Sequence, residues 1–433
     1  MLPDRARIRS LLLAAGTALL AIPLSTCTEP SAESPAASSA DSPASSVDSP
    51  ASAAGAIHDG LSQSSTFTTL FKAPVGVEGL TADRDGNLYT GGRGGAATCP
   101  IWRIPSSGGA AVVVGTLAPP CGPAGLAFDR HGDLFITDGS DKIFKLHPDA
   151  TAPPVGVLFA SGVPGANGVA FDRDDNLWVS DGVTSQGRVW RIAPDGTVAE
   201  VFRVPPLANS VNGVPSPTVP GALQGGVGRD ARALPPGTVT ITETSRTAAD
   251  TNGSVGIVAN GVAFSASGRT MFIADTSRGA IWRVEIDRRG NLASPVGCDT
   301  TYTANTLCLD DVFVQHPALE GLDGIALDRF GNIWGVANER NAVTVVSPFG
   351  GVREVFRNPP DATTKLRNTG PLEFPTSPIL VGRTLCITQS DGARRDNFPN
   401  SGGEVGPAPA AERAKVSCAD ARLPFSGLDL PIR

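Results

Sequence analysis

Histidine is scarce in this 433-residue chain: there are four, of which His58 adjoins a low-complexity stretch and His131 sits in a turn-like segment. A histidine dyad or Ser-His-Asp triad therefore has little material. The sequence also lacks a Gly-x-Ser-x-Gly elbow and a phosphate-binding glycine loop, and Gly225-Gly226-Val227-Gly228 has no strand before it and reads as linker. No apolar run is long enough to span a bilayer, and no helical periodicity is sustained. Positive charge is also short, since 35 Lys and Arg against 42 Asp and Glu leave a net charge of −7, which argues against nucleic acid as a partner.

What is present begins with an export signal. Arg5, Arg7 and Arg9 precede an apolar stretch over residues 11–22, so residues 1–26 have the layout of a signal peptide. Leu24-Ser25-Thr26-Cys27 resembles a bacterial lipobox, in which Cys27 is lipidated and tethers the chain to a membrane; ordinary signal-peptidase cleavage is the other route the residues allow. Both routes put the mature chain outside the cytoplasm, in the periplasm, on the cell surface or in the medium. Of seven cysteines, Cys27 set aside leaves an even number suited to an oxidising compartment, with Cys99 and Cys121, Cys298 and Cys308, and Cys386 and Cys418 as local pairs. Buried free thiols are the alternative. Residues 27–57 are mostly Ser, Ala, Pro, Glu and Asp, cannot bury enough apolar surface to offset ordering, and read as a disordered linker.

Residues 58–433 repeat one sentence. Glu78-Gly79-Leu80-Thr81-Ala82-Asp83, a turn at Asp85-Gly86-Asn87, and Ile101-Trp102-Arg103-Ile104 recur from Ala124, Asn167, Asn260 and Asp323, with a degenerate copy from Thr376. Each copy holds four short strands, so the expected fold is all-β: a six-bladed β-propeller. The strand over 66–71 has no first three strands before it, and the last copy lacks a clear fourth, so the N-terminal strand is expected to complete the last blade. Trp102, Trp190 and Trp282 share one repeat position and read as packing residues, while Asp138, Asp181 and Asp275 read as turn-bonding residues. The step from Asn167 to Asn260 is long because it contains a Gly- and Pro-rich insertion at about 205–252, read as a rim loop that could cover the channel.

The start of each innermost strand lies beside a propeller's axis, so Glu78, Ala124, Asn167, Asn260, Asp323 and Thr376 are expected to converge. Such residues can merely cap strand ends or line a wet channel. Carboxylate with amide oxygens and no Cys or His, however, is the donor set of a hard cation, and its flexible, oxygen-rich character favours Ca²⁺. Glu78, Asn167, Asn260 and Asp323 are the candidate ligands of one divalent cation.

These motifs resemble the senescence-marker-protein, gluconolactonase and luciferin-regenerating-enzyme family, which includes regucalcin-like six-bladed propellers with one divalent metal in the channel. Val77-Glu78-Gly79, Asn260-Gly261-Val262 and Asp323-Gly324-Ile325 resemble its metal-ligand motifs, and Asn167-Gly168 its substrate-contacting channel residue. The resemblance implies a metal-dependent hydrolase of a small lactone or ester, with Asp323 as catalytic proton acceptor and Asn167 at the substrate. Sugar-lactone members often carry an Arg shortly before the Asn167 position, where this chain has Pro164-Gly165-Ala166, so sugar-lactone specificity does not transfer. A non-catalytic propeller that binds a ligand or partner, and a strictosidine-synthase-like or lyase-type enzyme, are the competing readings.

Overall fold

A computed structural model of the chain describes residues 60–93, 97–106, 108–182, 186–205, 258–276, 278–296, 305–360, 362, 367, 370–390 and 414–423, with the short strand pairs 223–224/228–229 and 394–395/404–406. The export signal, the 27–57 linker, Cys298 and nearly all of the 205–252 insertion lie outside the described residues.

Short β-branched and aromatic runs between turns form antiparallel sheets, and among the described residues the only helices are single 3-10 turns such as Pro317–Leu319. In the third blade Ala166–Phe171 pairs with Leu177–Asp181, then Arg188–Ile192, then Val198–Arg203, from the axis outwards. Six sheets follow this plan, and the inner strands Thr81–Ala82, Leu126–Phe128, Ala166–Phe171, Val262–Phe264, Leu322–Leu327 and Pro375–Val381 adjoin one another in that order and return to the first. In the last sheet Pro375–Val381, Thr384–Gln389 and Lys415–Asp420 are completed by the N-terminal strand Thr68–Lys72, as the unmatched strand at the start of the sequence implies. Two of the expected disulfides, Cys99–Cys121 and Cys386–Cys418, are present, and the second joins directly paired residues of that closing blade.

The repeated turn is built by one carboxylate. Asp172 accepts the backbone N–H groups of Asp174 and Asn176 on one oxygen, both at 2.9 Å, and the Asn176 amide and the Trp178 indole N–H on the other, at 2.9 and 2.8 Å. Asp328 does the same with Phe330, Asn332 and Trp334, and Asp83 with Asp85, Asn87 and the Tyr89 hydroxyl. A buried indole thereby keeps its hydrogen bond while its ring packs between blades. The tryptophans of the third strands are packing residues as expected: Trp282 is fully buried beside Trp178, Phe202 and Phe264, and Trp190 is buried with Phe135 and Ile143 of the preceding blade. Asp138 bonds its turn through Ser140 and Lys142, whereas Asp275 is fully buried in an ion pair with Arg278, whose Nη2 donates to Pro205 O at 2.6 Å where the insertion begins.

The glycine that five of the six copies share has a steric cause. A Cβ on Gly79 would lie 1.8 Å from the carbonyl oxygen of Ala124, one on Gly125 2.2 Å from that of Asn167, and one on Gly168 2.2 Å from that of Asn260. Gly261 and Gly324 meet the carbonyls of Asp323 and Thr376 at 2.5 Å in the same way. Each blade's glycine is thus the seat for the backbone of the next blade's channel residue, and a side chain there must push backbone apart. Gly168→Ala is expected to lower stability in urea unfolding by about 3 kcal/mol. Gly76→Ala, whose new Cβ would meet nothing nearer than 4.0 Å, should change it by no more than about 0.5 kcal/mol.

Candidate functional site

Because these contacts run round the ring, Glu78, Ala124, Asn167, Asn260, Asp323 and Thr376 head their six inner strands at one end of the axis. The ring closes where the Thr376 hydroxyl donates to Glu78 O at 2.8 Å. Neighbouring hydroxyls hold its backbone, as Thr137 Oγ1 donates to Asn167 O at 2.7 Å. Further along the same strands, Leu80, Leu126, Val169, Val262 and Ile325, followed by Thr81, Ala127, Ala170, Ala263 and Ala326, line an apolar cavity of ≈ 150 Å³.

A second set of residues supports the first, and sequence reasoning missed it. It comes from the end of each second strand, at Arg93, Gly139, Gly182, Thr276, Asn338 and Ser390. Asn338 Nδ2 donates to Asp323 Oδ2 at 3.1 Å, and Asn260 Nδ2 donates to Thr276 Oγ1 at 3.1 Å while that hydroxyl donates to Leu322 O at 2.7 Å. Asn167 packs on Gly182, where a Cβ would lie 2.2 Å from its amide nitrogen. Arg93 Nη1 pairs with Glu78 Oε2. The position is always five residues after the first apolar residue of the second strand, from Leu88 in the first blade to Leu385 in the last. That fixed offset is the signal that could have found it.

The structure brings Glu78, Asn260 and Asp323 into one network. Asp323 is 7% and Asn260 3% exposed, the Asn260 side chain lies close enough to help hold the Asp323 carboxylate ionised, and Arg93 places a positive charge within reach of Asp323 as well as Glu78. Asn167 stands on the adjoining inner strand, and among the described residues its side chain adds no hydrogen bond to the network. Burial pushes the Asp323 carboxyl up to about 7, against the opposing pull of the Asn338 and Asn260 hydrogen bonds and the Arg93 charge.

The donor chemistry fits a hard divalent cation. A buried carboxylate is held away from its ordinary ionised state, and Asn338 beside it has a buried amide oxygen with no hydrogen-bond partner. Glu78, Asn167 and Asn260 are the channel residues that would supply further oxygens. The set contains two carboxylates completed by amides, and among the described residues no cluster of three or more His, Cys, Asp or Glu side chains is present. Arg93 is the one feature of the site that works against a cation.

Residues 225–386 match the family model described as the SMP-30/gluconolactonase/LRE-like region. The matched stretch contains Asn260 and Asp323 and stops short of Glu78 and Asn167. No curated protein matches the chain in sequence. Among solved structures, the calcium-binding protein regucalcin from Agrobacterium tumefaciens is 17% identical over 84% of this chain and 95% of its own, with a TM-score of 0.51. A gluconolactonase from Xanthomonas campestris is 15% identical over 83% and 91%, with a TM-score of 0.48. Virginiamycin B lyase from Staphylococcus aureus is 13% identical over 76% and 83%, at 0.42. At 17% identity the likeness to the Agrobacterium protein establishes the fold alone, and the family match over residues 225–386 bears out the resemblance read from the channel motifs.

The buried carboxyl yields a signed expectation. A carboxyl raised to about 7 in the folded chain, and ordinary when unfolded, stabilises the fold while protonated and loses that contribution as pH rises through its folded value. With chelator present, urea unfolding at pH 5 and pH 8 should show wild type losing on the order of 3 kcal/mol more than Asp323→Asn. Equal losses would remove the buried carboxyl as their cause.

Proposed function

We propose that the chain is an exported hydrolase that opens a small lactone or ester in its channel, with one divalent cation, calcium, held by Glu78, Asn260 and Asp323 with Asn167. The observation that carries this reading is the convergence of Glu78 with Asn260 and a buried, near-neutral carboxyl, the last two inside a stretch matching the gluconolactonase-like family. Calcium is favoured by the all-oxygen donor set and is the cation named for the Agrobacterium propeller. Export is supported by the signal-like first 26 residues and by two disulfides in the folded part. Lipidation of Cys27 would add a membrane tether.

A divalent ion in such a site polarises the substrate carbonyl as a Lewis acid. The protein's own groups supply the rest. Asp323, held by Asn338, accepts a proton from the attacking water as its oxygen adds to the carbonyl carbon. The acyl C–O bond then breaks and the proton passes to the leaving alkoxide, giving a hydroxy acid from a lactone or an acid and an alcohol from an ester. Asn167, against Gly182, is free to donate to the substrate rather than to the network. The apolar cavity beyond the ring keeps that side of the reacting centre dry, which strengthens every polar contact within it.

A screen of lactones and aryl esters, run with and without chelator, tests the proposal. Turnover of at least one lactone or ester is expected, abolished by chelator and restored by Ca²⁺. Asp323→Asn should lower kcat by about 10²- to 10⁴-fold at unchanged fold. Hydrolysis indifferent to chelator would sink the cation's part, and binding of such compounds without turnover would favour a non-catalytic propeller.

A further inference from the structure

The second set of residues around the channel is small or neutral at five of its positions: Gly139, Gly182, Thr276, Asn338 and Ser390. The sixth is Arg93, and nothing in the repeat requires a cation there, since the equivalent residues serve their blades with a hydroxyl, an amide or no side chain. Its guanidinium reaches in three directions. Nη1 pairs with Glu78 of its own blade, Nη2 lies 3.6 Å from the Cβ position of Gly139 in the next blade, and its charge acts on Asp323 across the ring. The side chain is 40% exposed along its length, while burial of the guanidinium lowers its hold on its proton against the opposing Asp323 charge.

Glu78 and Asp323 are the two carboxylates that the proposed site offers a cation, and Arg93 addresses both. A guanidinium on Glu78 Oε2 and a divalent ion on the same carboxylate would stand a few ångströms apart in a partly buried channel, where like charges repel strongly. We infer that Arg93 is a tethered counter-ion of the channel carboxylates and that the divalent cation enters by exchange with it, releasing the guanidinium towards the channel mouth. This rests on the cation reading of the channel and adds its regulation. The apparent affinity is lowered by the fraction of molecules in which Arg93 holds Glu78, so the site fills only at high cation concentration. Linkage makes the effect reciprocal: whatever Arg93 takes from cation affinity, the cation takes from the Arg93–Glu78 pair.

Two measurements on the purified chain test this. Calorimetric titration with Ca²⁺ after chelator treatment should show Arg93→Met binding about 10- to 100-fold more tightly than wild type, within the usual range of coupling between sites, with Arg93→Lys near wild type. Phenylglyoxal labelling read by peptide mass then asks where the wild-type guanidinium is, and saturating Ca²⁺ should speed modification of Arg93 several-fold. Equal Ca²⁺ affinity in wild type and Arg93→Met overturns the exchange while leaving the cation site standing. Tighter binding in the variant with unchanged wild-type labelling also overturns it, because Arg93 would then act through its field without moving. No binding in either protein removes the cation reading and the exchange with it. Should Arg93→Met fail to fold, the wild-type labelling decides alone.

Discussion

The contact on which the molecule depends is a backbone carbonyl lying on a glycine. In five steps round the ring, the carbonyl of one blade's channel residue occupies the space that a Cβ of the preceding blade would fill. Inner strands can approach this closely only because the repeat keeps glycine after its variable first residue. The consequence reaches function. Position is fixed by main chain, so the side chain is free to be Glu, Ala, Asn, Asn, Asp or Thr without disturbing the packing. The constraint that makes a propeller is the same one that sets six variable residues at one end of the axis.

The last junction is made differently, and the difference joins closure to the site. Ser377 stands where the other copies have glycine, and the Thr376 hydroxyl instead bonds Glu78 O across the gap between last and first blades. The strand Thr68–Lys72, which completes the last blade, leads within a few residues to Glu78. Closing the ring therefore delivers the N-terminal carboxylate to the channel. The Cys386–Cys418 disulfide holds the two strands inside that closing strand, in the sheet where both ends of the propeller meet.

The sequence made most of this legible because repetition reports position. The out-of-phase first strand, the tryptophan sites and the residues before Gly79, Gly168, Gly261 and Gly324 hold equivalent positions in the repeat and equivalent places in the blades. Two things were hidden. The Asp before the turn carries no role in the repeat pattern, yet the second oxygen of Asp172 binds Asn176 and Trp178, a role that only a strand's return can create. The supporting set around Arg93 was invisible for the opposite reason. Its members, Arg, Gly, Gly, Thr, Asn and Ser, share a place without sharing a chemistry, so only their fixed offset along the second strand marks it.

That hidden set gives the two carboxylates different characters. Glu78 meets a guanidinium on a long, half-exposed stem, while Asp323 meets neutral amides in a buried place that pushes its carboxyl to about 7. A pair of like groups driven apart by their surroundings is how one site obtains both an anchor and a base. Glu78, paired with a guanidinium, is held as a carboxylate by an opposite charge. Asp323, fixed by Asn260 and Asn338 and close to neutrality at physiological pH, is suited to take up a proton and return it. The division follows from what each second strand places beside its own channel residue, and it would be lost if Arg93 and Asn338 changed places.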